Sequence, residues 1–320
     1  MIAPEQSDEI GTVLRSCPTA GDGVNRWLFC AARKLHLLKV ESSTIEELLE
    51  RASANCGRLV KAAEIGRAVR NSKPGTRSNR LTMRKWPQRD YEQIEAIGRS
   101  GFRVEGLQAH SPVALNPIEN QAETIVDALF PTNPLLCAAR GLYGAVTKPR
   151  EEWRGQLSEQ QFIVPSPMSK LQGITAEGKV SARALDNVAS RRFLVVEFDF
   201  LEKHKDGRDT PSAPLLRRLA KSGVSVADLC AALHAELSKL RPLALVLHSG
   251  GKSLHGWYPC NGQKEESAMN RFMRFAIWLG ADPATWTRCQ FVRMPDGRRQ
   301  NGKRQHILYY NPAALTGGGE

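Results

Sequence analysis

Hydrophobic residues recur with the helical period in the first 72 residues of the chain. Ser43, three residues before Glu46, predicts a capping box at the start of the second of three helices. We therefore predict a small all-helical accessory domain at residues 1–73. The apolar positions of its three helices are Trp27, Leu28, Ala31, Ala32, Leu35 and Leu38, then Ile45, Leu48, Leu49 and Ala52, then Ile65, Ala68 and Val69.

The helical period stops after residue 72, where proline, glycine and serine stand among basic residues. This composition predicts a basic linker at residues 74–88, which either touches a phosphate backbone or is only solvated. The helical domain before it also has two interpretations, a simple packing unit or a domain that contacts nucleic acid. The second is favoured by its basic residues Arg58, Lys61, Arg67 and Arg70.

The period changes to two at residues 192–200, which predict a buried strand. Side chains alternate across a strand, so Glu197 and Asp199 share one face while Phe198 and Phe200 enter a core on the other. Two carboxylates side by side repel each other, and a divalent cation relieves that repulsion. The alternative is a strand with one solvated face, which the apolar remainder of this segment disfavours.

The segments around this strand alternate between the two periods and predict an α+β catalytic domain at residues 89–311. Helices are expected at 91–97, 120–129, 213–219, 226–240 and 265–279, and strands at 163–168, 243–247, 253–258, 290–294 and 305–310. The glycine-rich turn at 249–252 joins two of these strands in a hairpin. The glycine-rich residues 312–320 predict a disordered tail.

Net charge narrows the possible partners. The 320 residues carry a formal net charge of +12, which indicates a polyanion, nucleic acid first and an anionic membrane surface second. The longest apolar runs are shorter than the roughly 18 residues that span a bilayer, and the first residues lack a secretory pattern. We therefore expect a cytoplasmic protein. Seven scattered cysteines without a C-x-x-C pair predict neither a zinc site nor a disulfide framework.

Gly251-Lys252-Ser253 is similar to the end of a phosphate-binding P-loop, but the rest of that motif is missing. The motif needs a glycine five residues before the Gly-Lys pair, where Val246 stands, and it needs a helix after it. Here the segment after Lys252 has the strand period. The turn can still present backbone N–H groups to an anion.

Three groups of residues together have the chemistry of nucleotidyl transfer. The pair Glu197 and Asp199 is joined by Ser253 and His255, on one face of a later strand, and by Asp282, ahead of the strand that carries Arg293. Carboxylates hold the two divalent ions that such a reaction uses, and cationic and hydroxyl groups hold a triphosphate. Each signal alone is weak, since a single histidine or aspartate is usually structural.

In this order, the motifs Glu197-Phe198-Asp199, Ser253-Leu254-His255 and Asp282 resemble those of the archaeo-eukaryotic primase superfamily, which includes primase-polymerases. The resemblance covers roughly residues 130–311. It implies an α/β module packed with an RRM-like sheet, and template-directed synthesis of primers from nucleoside triphosphates with two Mg²⁺ or Mn²⁺ ions. The N-terminal helices loosely resemble the small helical domains of phage and plasmid primases, which suggests replication of a mobile element.

The resemblance also implies roles for the individual residues. Glu197, Asp199 and Asp282 hold the metal ions, while Lys252, Ser253, His255, Arg293 and Arg298 bind the nucleotide, with Arg299 as an alternative to Arg298. The motif departs from the usual pattern in having glutamate as its first acid. Asp296 is the other candidate for the third acid, but it lies among cations with which it would pair locally.

The expected partners are a single-stranded DNA template, NTPs or dNTPs, and a separate helicase, because the chain supplies no helicase motor. Alternatives to a primase are a repair or end-joining polymerase of the same superfamily, a nuclease, and a non-catalytic nucleic-acid-binding protein. The sequence leaves open the choice between ribo- and deoxynucleotides.

Overall fold

The computed structural model describes residues 4–19, 23–72, 86–116, 119–176, 178–204, 206–260 and 266–316. Most of the expected linker and the end of the expected tail lie outside these residues. The chain divides into two compact units, residues 1–85 and 86–320. None of the helices among the described residues is long and apolar enough to cross a membrane.

The described residues of the first unit form four helices: α1 (Pro4–Arg15), α2 (Val24–Leu37), α3 (Ser42–Ser53) and α4 (Ala62–Ser72). Their apolar positions form a core of their own around Leu28, Leu35, Ile45, Leu49 and Val69. The periodicity of α2 to α4 predicted this core. Helix α1 was not predicted.

The capping box predicted at Ser43 is wrong. Helix α3 begins one residue earlier, at Ser42, and its N-cap residue Glu41 makes no side-chain capping hydrogen bond. Ser43 therefore lies inside the first helical turn, where its hydroxyl does not have the N-cap position that the motif requires.

The second unit combines helices with antiparallel sheets, which confirms the predicted α+β class. Its helices are α5 (Tyr91–Gly98), α6 (Val104–Ala109), α7 (Ala122–Leu129), α8 (Ala213–Lys221), α9 (Val226–Ser238) and α10 (Glu266–Trp278). Its strands are β1 (Leu135–Ala139), β2 (Val146–Pro149), β3 (Phe162–Ile163), β4 (Gly173–Ile174), β5 (Val180–Ser181), β6 (Phe193–Phe198), β7 (Leu245–His248), β8 (Leu254–Pro259), β9 (Val292–Arg293) and β10 (Ile307–Tyr310).

In the part of this unit that the structure describes, the strands form two four-stranded sheets and a hairpin. The first has the strand order β2-β1-β3-β9 and the second β10-β7-β8-β6, while β4 and β5 form a separate hairpin. Strand β6 pairs with β8 along its whole length, from Phe193 opposite Pro259 to Phe198 opposite Leu254. Residues directly opposite each other in an antiparallel pair lie on the same face of the sheet. This register therefore decides which side chains of β6 and β8 meet.

Each face of the second sheet covers a different core. Leu194, Val196 and Phe198 of β6 pack with the helices in one large cluster. Phe193 and Val195 face the other way, into a cluster shared with α7 and with Ile163 of the first sheet. Burial of apolar surface on both faces fixes the sheet, so the polar residues at the ends of β6 and β8 are held on rigid strands.

The helix N-terminus of α9 is fixed by a capping box. The Ser225 hydroxyl accepts the Asp228 backbone N–H at 3.0 Å, and the Asp228 carboxylate accepts the Ser225 backbone N–H at 3.2 Å. Asp228 also accepts the Val104 N–H at 3.1 Å, which ties the start of α6 to α9. These bonds give partners to backbone N–H groups at the starts of α6 and α9 that would otherwise have none.

Candidate active site

The site begins with Glu197 on β6 and His255 on β8, which lie directly opposite each other. The His255 Nε2 atom is 3.2 Å from the Glu197 Oε1 atom. The Ser253 hydroxyl donates to the same oxygen at 3.2 Å, and its oxygen is 2.9 Å from the Ser249 hydroxyl. The shared face of Ser253 and His255, expected from the period of two, is therefore the face of Glu197.

The surroundings of Glu197 keep it ionised. Burial acts to raise its pKa, but His255, the charge of Arg293 and the Ser253 hydrogen bond together lower the pKa to about 2. His255 itself is only 2% exposed, and its Nδ1 atom has no hydrogen-bond partner among the described residues. The imidazole thus lies against the Glu197 carboxylate and the Ser253 hydroxyl rather than in an apolar interior.

Asp199 lies one residue beyond the end of β6 and has the opposite electrostatic behaviour. Phe198 and Phe200 remain on the helix side with their rings parallel, so Asp199 projects from the other side, where it is exposed. Partial desolvation raises the pKa of Asp199, and the negative charges of Glu197 and Asp282 raise it further. The charges of His255 and Lys252 oppose this effect without cancelling it.

Asp282 reaches the same place from the loop after α10. Its backbone N–H donates to the Glu197 carbonyl oxygen at 2.9 Å. Its side chain accepts the Ala284 N–H at 2.9 Å and so caps the short 3₁₀ turn Pro283–Trp286. Asp282 therefore has a structural role as a cap, and its charge also acts on Asp199.

Asp296, the other candidate for the third acid, is occupied elsewhere. Its carboxylate is buried and bonds Arg304, with 2.5 Å between the Arg304 Nε and Asp296 Oδ1 atoms. Its second oxygen accepts the Gln121 N–H at 2.6 Å, just ahead of α7. Asp296 therefore pairs with a neighbouring cation, as expected from the sequence.

The oxygen atoms and the charges of these three carboxylates match what a divalent cation binds. Carboxylate oxygens are the ligands that Mg²⁺ and Mn²⁺ prefer. The pKa of Asp199 is raised first by desolvation and then by the negative charges of Glu197 and Asp282, which a bound cation would offset. The described part of the chain holds no preformed group of three or more histidine, cysteine or acidic ligands at metal-binding spacing. The charge therefore fits a cation, while a complete ligand set would need side-chain rearrangement.

The glycine turn between β7 and β8 closes one side of the site. Strand β8 follows the turn directly, which confirms that this is not a P-loop. A Cβ atom built on Gly251 would lie 2.8 Å from the Arg299 Nη1 atom, and Gly250 has a φ of +71°. Gly250 needs glycine for its left-handed backbone, and the absence of a side chain at Gly251 leaves room for the Arg299 guanidinium. Lys252, at the end of the turn, is exposed.

Arg293 comes from β9 at the edge of the first sheet. It lies opposite Phe162 of β3, and its guanidinium carbon is 4.8 Å from the centroid of that ring. Phe162 stacks on Phe291, with 5.5 Å between the ring centroids, and the Arg183 guanidinium carbon lies 4.2 Å from the centroid of Phe291. Each ring of this stacked pair therefore has an arginine over it, and Phe162 holds the Arg293 side chain in place.

Arg293 is a cation without a hydrogen-bonded acid. Its Nη1 atom is buried and has no hydrogen-bond partner within the described residues. Burial lowers the pKa of Arg293, and the charge of Arg299 lowers it further, while Glu197 and Asp199 act in the opposite direction. Two arginines thus lie near the acids and repel each other, an arrangement that a bound polyphosphate would relieve.

Of the two arginines considered in the 295–304 turn, the structure brings Arg299 rather than Arg298 to the site. Arg298 is exposed and pairs through its backbone with Arg304, and no described contact joins it to the acids. Sequence reasoning left this choice open, since adjacent residues in a turn point in different directions. It missed Ser249 and Phe162, although the place of Ser249 in the glycine turn was a usable signal.

Known proteins offer a weak structural likeness to this chain and no match in sequence. No family model matches the chain, and no curated protein matches it. Among solved structures, the chain is similar to the AEP domain of the cyanophage S-2L primase-polymerase (PrimPol). The TM-score is 0.34 and the identity 14%, over 62% of this chain and 96% of the phage domain. A likeness of this size is too weak to assign a fold family or a function.

Proposed function

We propose that the chain is a nucleotidyltransferase that synthesises or extends a nucleic-acid strand on a single-stranded template, most specifically a primase-polymerase. The observation that carries the proposal is the charge arrangement of the site. Three carboxylates, Glu197, Asp199 and Asp282, lie beside two arginines, Arg293 and Arg299, that have no acid of their own among the described ion pairs.

The reaction requires both the carboxylates and the arginines of the site. The 3′-oxygen of a growing strand or of a first nucleotide attacks the α-phosphorus and releases its proton to solvent. A new P–O bond forms as the bond to pyrophosphate breaks. In this proposal, Arg293, Arg299 and Lys252 bind the triphosphate and stabilise the charge that builds up on the leaving pyrophosphate.

The acids have the complementary role. Glu197, Asp199 and Asp282 would hold Mg²⁺ or Mn²⁺, which supplies charge neutralisation at the attacking and leaving oxygens. His255 and Ser253 keep the Glu197 carboxylate ionised and oriented, through the hydrogen bonds described above. Because His255 is buried, we assign it to positioning Glu197 before any direct contact with phosphate.

The test is incorporation of labelled nucleotides on single-stranded DNA, with and without a primer, with NTPs or dNTPs and with Mg²⁺ or Mn²⁺. Asp199→Asn should reduce incorporation by at least about 100-fold, because it removes a charge that the reaction needs. Asp206→Asn, which removes an exposed acid paired with Arg208, is the matched control and should keep full activity.

Normal incorporation by Asp199→Asn would disprove the catalytic assignment. Incorporation that requires a primer would favour a repair or end-joining polymerase over a primase. Absence of incorporation by the unmodified protein, with metal-dependent cleavage of the DNA instead, would favour a nuclease.

A further inference from the structure

Two loops on the first sheet's side of the site touch each other. One is the β1–β2 loop, residues 140–145, and the other is the turn at residues 298–304; together they are called the loop pair below. A Cβ atom built on Gly141 would lie 2.6 Å from the Gln300 Nε2 atom, so the two loops are in contact. The Gln300 backbone N–H donates to the Gln161 side chain at 2.9 Å, next to β3.

The loop pair exposes an aromatic ring and several basic side chains. Tyr143 is 91% exposed, the largest exposed fraction among the exposed large hydrophobic residues of the described chain, and the neighbouring Leu142 is 69% exposed. Arg140, Arg298 and Lys303 are exposed as well. No salt bridge within the described part of the chain occupies these three cations, and neither loop contains an acid.

The turn is rigid enough to hold these cations in place. Arg299 donates its backbone N–H to the Lys303 carbonyl at 2.9 Å, and Gly302 donates back to Arg299 at 2.8 Å. The side chain of Arg304 is tied to the buried Asp296. The charge of the turn is therefore presented on a fixed hairpin.

The loop pair is continuous with the candidate active site. Arg299 follows Arg298 directly and lies against the Gly250–Gly251 turn, and its charge acts on Arg293. The Lys303 Cβ atom lies 3.5 Å from a Cβ atom built on Gly250. A polyanion that lay along Arg298 and Lys303 would therefore reach the glycine turn beside the acids. An exposed aromatic ring on a basic surface is how proteins hold unpaired bases and the phosphates that join them.

We propose that the loop pair binds a single-stranded nucleic acid, with a base stacked on Tyr143 and the backbone along Arg140, Arg298 and Lys303. The identification of this strand as the template rests on the proposed function; its binding does not. Charge complementarity favours this occupant over a second copy of the chain, because a basic surface without acids repels its own copy.

The test uses the full chain in EDTA, so that no metal-dependent reaction takes place. Binding of two fluorescent 20-mers is measured by anisotropy, one an oligodeoxythymidylate and the other an abasic strand of the same length. Tyr143→Ala should weaken binding of the oligodeoxythymidylate about 10-fold and leave the abasic strand unchanged. Tyr143→Trp should restore the affinity, and Leu240→Ala, at another exposed apolar residue, should change neither probe.

The cations are tested by salt dependence. Arg298→Gln should lower the slope of log affinity against log salt by about 0.7 on both strands, because one phosphate contact is lost. Lys221→Gln removes an equal charge at the end of α8 and should leave the slope unchanged.

The inference is overturned if Tyr143→Ala binds the oligodeoxythymidylate normally, or if it weakens both strands equally. It is also overturned if sedimentation shows that Tyr143→Ala dissociates a dimer while DNA affinity stays the same. Failure of the proposed function is a separate result. An unmodified protein that never incorporates nucleotides, but whose strand binding depends on Tyr143, would keep this inference and reject the polymerase.

Discussion

Two carboxylates two residues apart have their pKa values moved in opposite directions, and the cause is their different neighbours. Glu197 receives an imidazole, a hydroxyl and the field of Arg293, which lower its pKa to about 2 in spite of burial. Asp199 receives partial desolvation and the charges of two other acids, and its pKa is raised. The charge of Glu197 is therefore compensated by neighbouring residues of the fold. The charge of Asp199 is the one that a bound cation would neutralise.

At the same scale, the two adjacent arginines Arg298 and Arg299 are expected to act on different ligands. Arg299→Ala should raise the KM for the nucleotide about 10-fold or more, since this guanidinium lies against the Gly250–Gly251 turn and near Arg293. Arg298→Ala should leave the nucleotide KM within about two-fold and weaken the template instead. Steady-state kinetics with nucleotide and template varied separately distinguishes the two.

Each variant is the charge-matched control of the other. Equal increases in nucleotide KM would show that the exposed Arg298 also reaches the triphosphate, and would contradict the separation of roles.

The sequence could predict the site residues whose positions follow from the alternation of side chains along a strand. A period of two places Glu197 and Asp199 together, and Ser253 with His255, without any knowledge of the fold. The choice between Asp282 and Asp296, or between Arg298 and Arg299, depends on loop geometry. In these loops the deciding contacts are long-range, such as the Asp282 N–H bond to the Glu197 carbonyl.

Among the elements, β8 has a histidine on each face of its sheet. His255 faces the acids, while His234 of α9 lies under the other face, with its Nδ1 atom 3.2 Å from the Tyr258 hydroxyl. A Cβ atom on Gly256 would come within 2.5 Å of His234 Nδ1, so only glycine permits this packing. The periodicity of α9 predicted a helix, but it did not show that its histidine supports the strand.

Because His234 is fully buried, it should make the stability of the fold depend on pH. Burial lowers its pKa to about 3, with a small opposing effect from the Leu254 carbonyl. The folded chain keeps the imidazole neutral, whereas the unfolded chain binds a proton below about pH 6.5. Stability is therefore lost as the pH falls from about 6.5 to 3, by up to about 1.4 kcal/mol per pH unit from this residue.

His234→Gln should accordingly be less stable than the unmodified protein at pH 8, because it loses packing, but should lose stability less steeply between pH 6.5 and 4. Urea unfolding at several pH values measures both slopes. His204→Gln, at an exposed histidine, is the control and should keep the original slope. Parallel slopes for His234→Gln and the unmodified protein would show that His234 is protonated in the folded state.

Short elements limit how far an element-level prediction goes. The strand predicted at 290–294 contains β9 and Arg293, but the strand predicted at 163–168 begins one residue after Phe162, the stacking partner of Arg293 in the two-residue strand β3. Longer elements such as β6, β8 and α10 were predicted close to their observed bounds. The contact with Phe162 was therefore the harder part of the first sheet to predict.

On the scale of the whole molecule, each unit has a core of its own. The helices of residues 1–85 bury Leu28, Ile45 and Val69 among themselves, and the clusters of the second unit contain only residues after 85. All the candidate active-site residues lie in the second unit. Chain division of this kind is expected where separate apolar cores form along one sequence.

We therefore expect a fragment of residues 86–320 to fold alone and to keep the activity of the site. It should unfold cooperatively in urea, and its nucleotide incorporation on a primed template should stay within about five-fold of the full chain at saturating template. Asp199→Asn in the fragment provides the inactive control. Circular dichroism and incorporation are measured on the same preparation, so that loss of folding is distinguished from loss of function. A folded fragment that is inactive at saturating template would show that residues 1–85 supply part of the site, contrary to the assignment of every reacting group to the second unit.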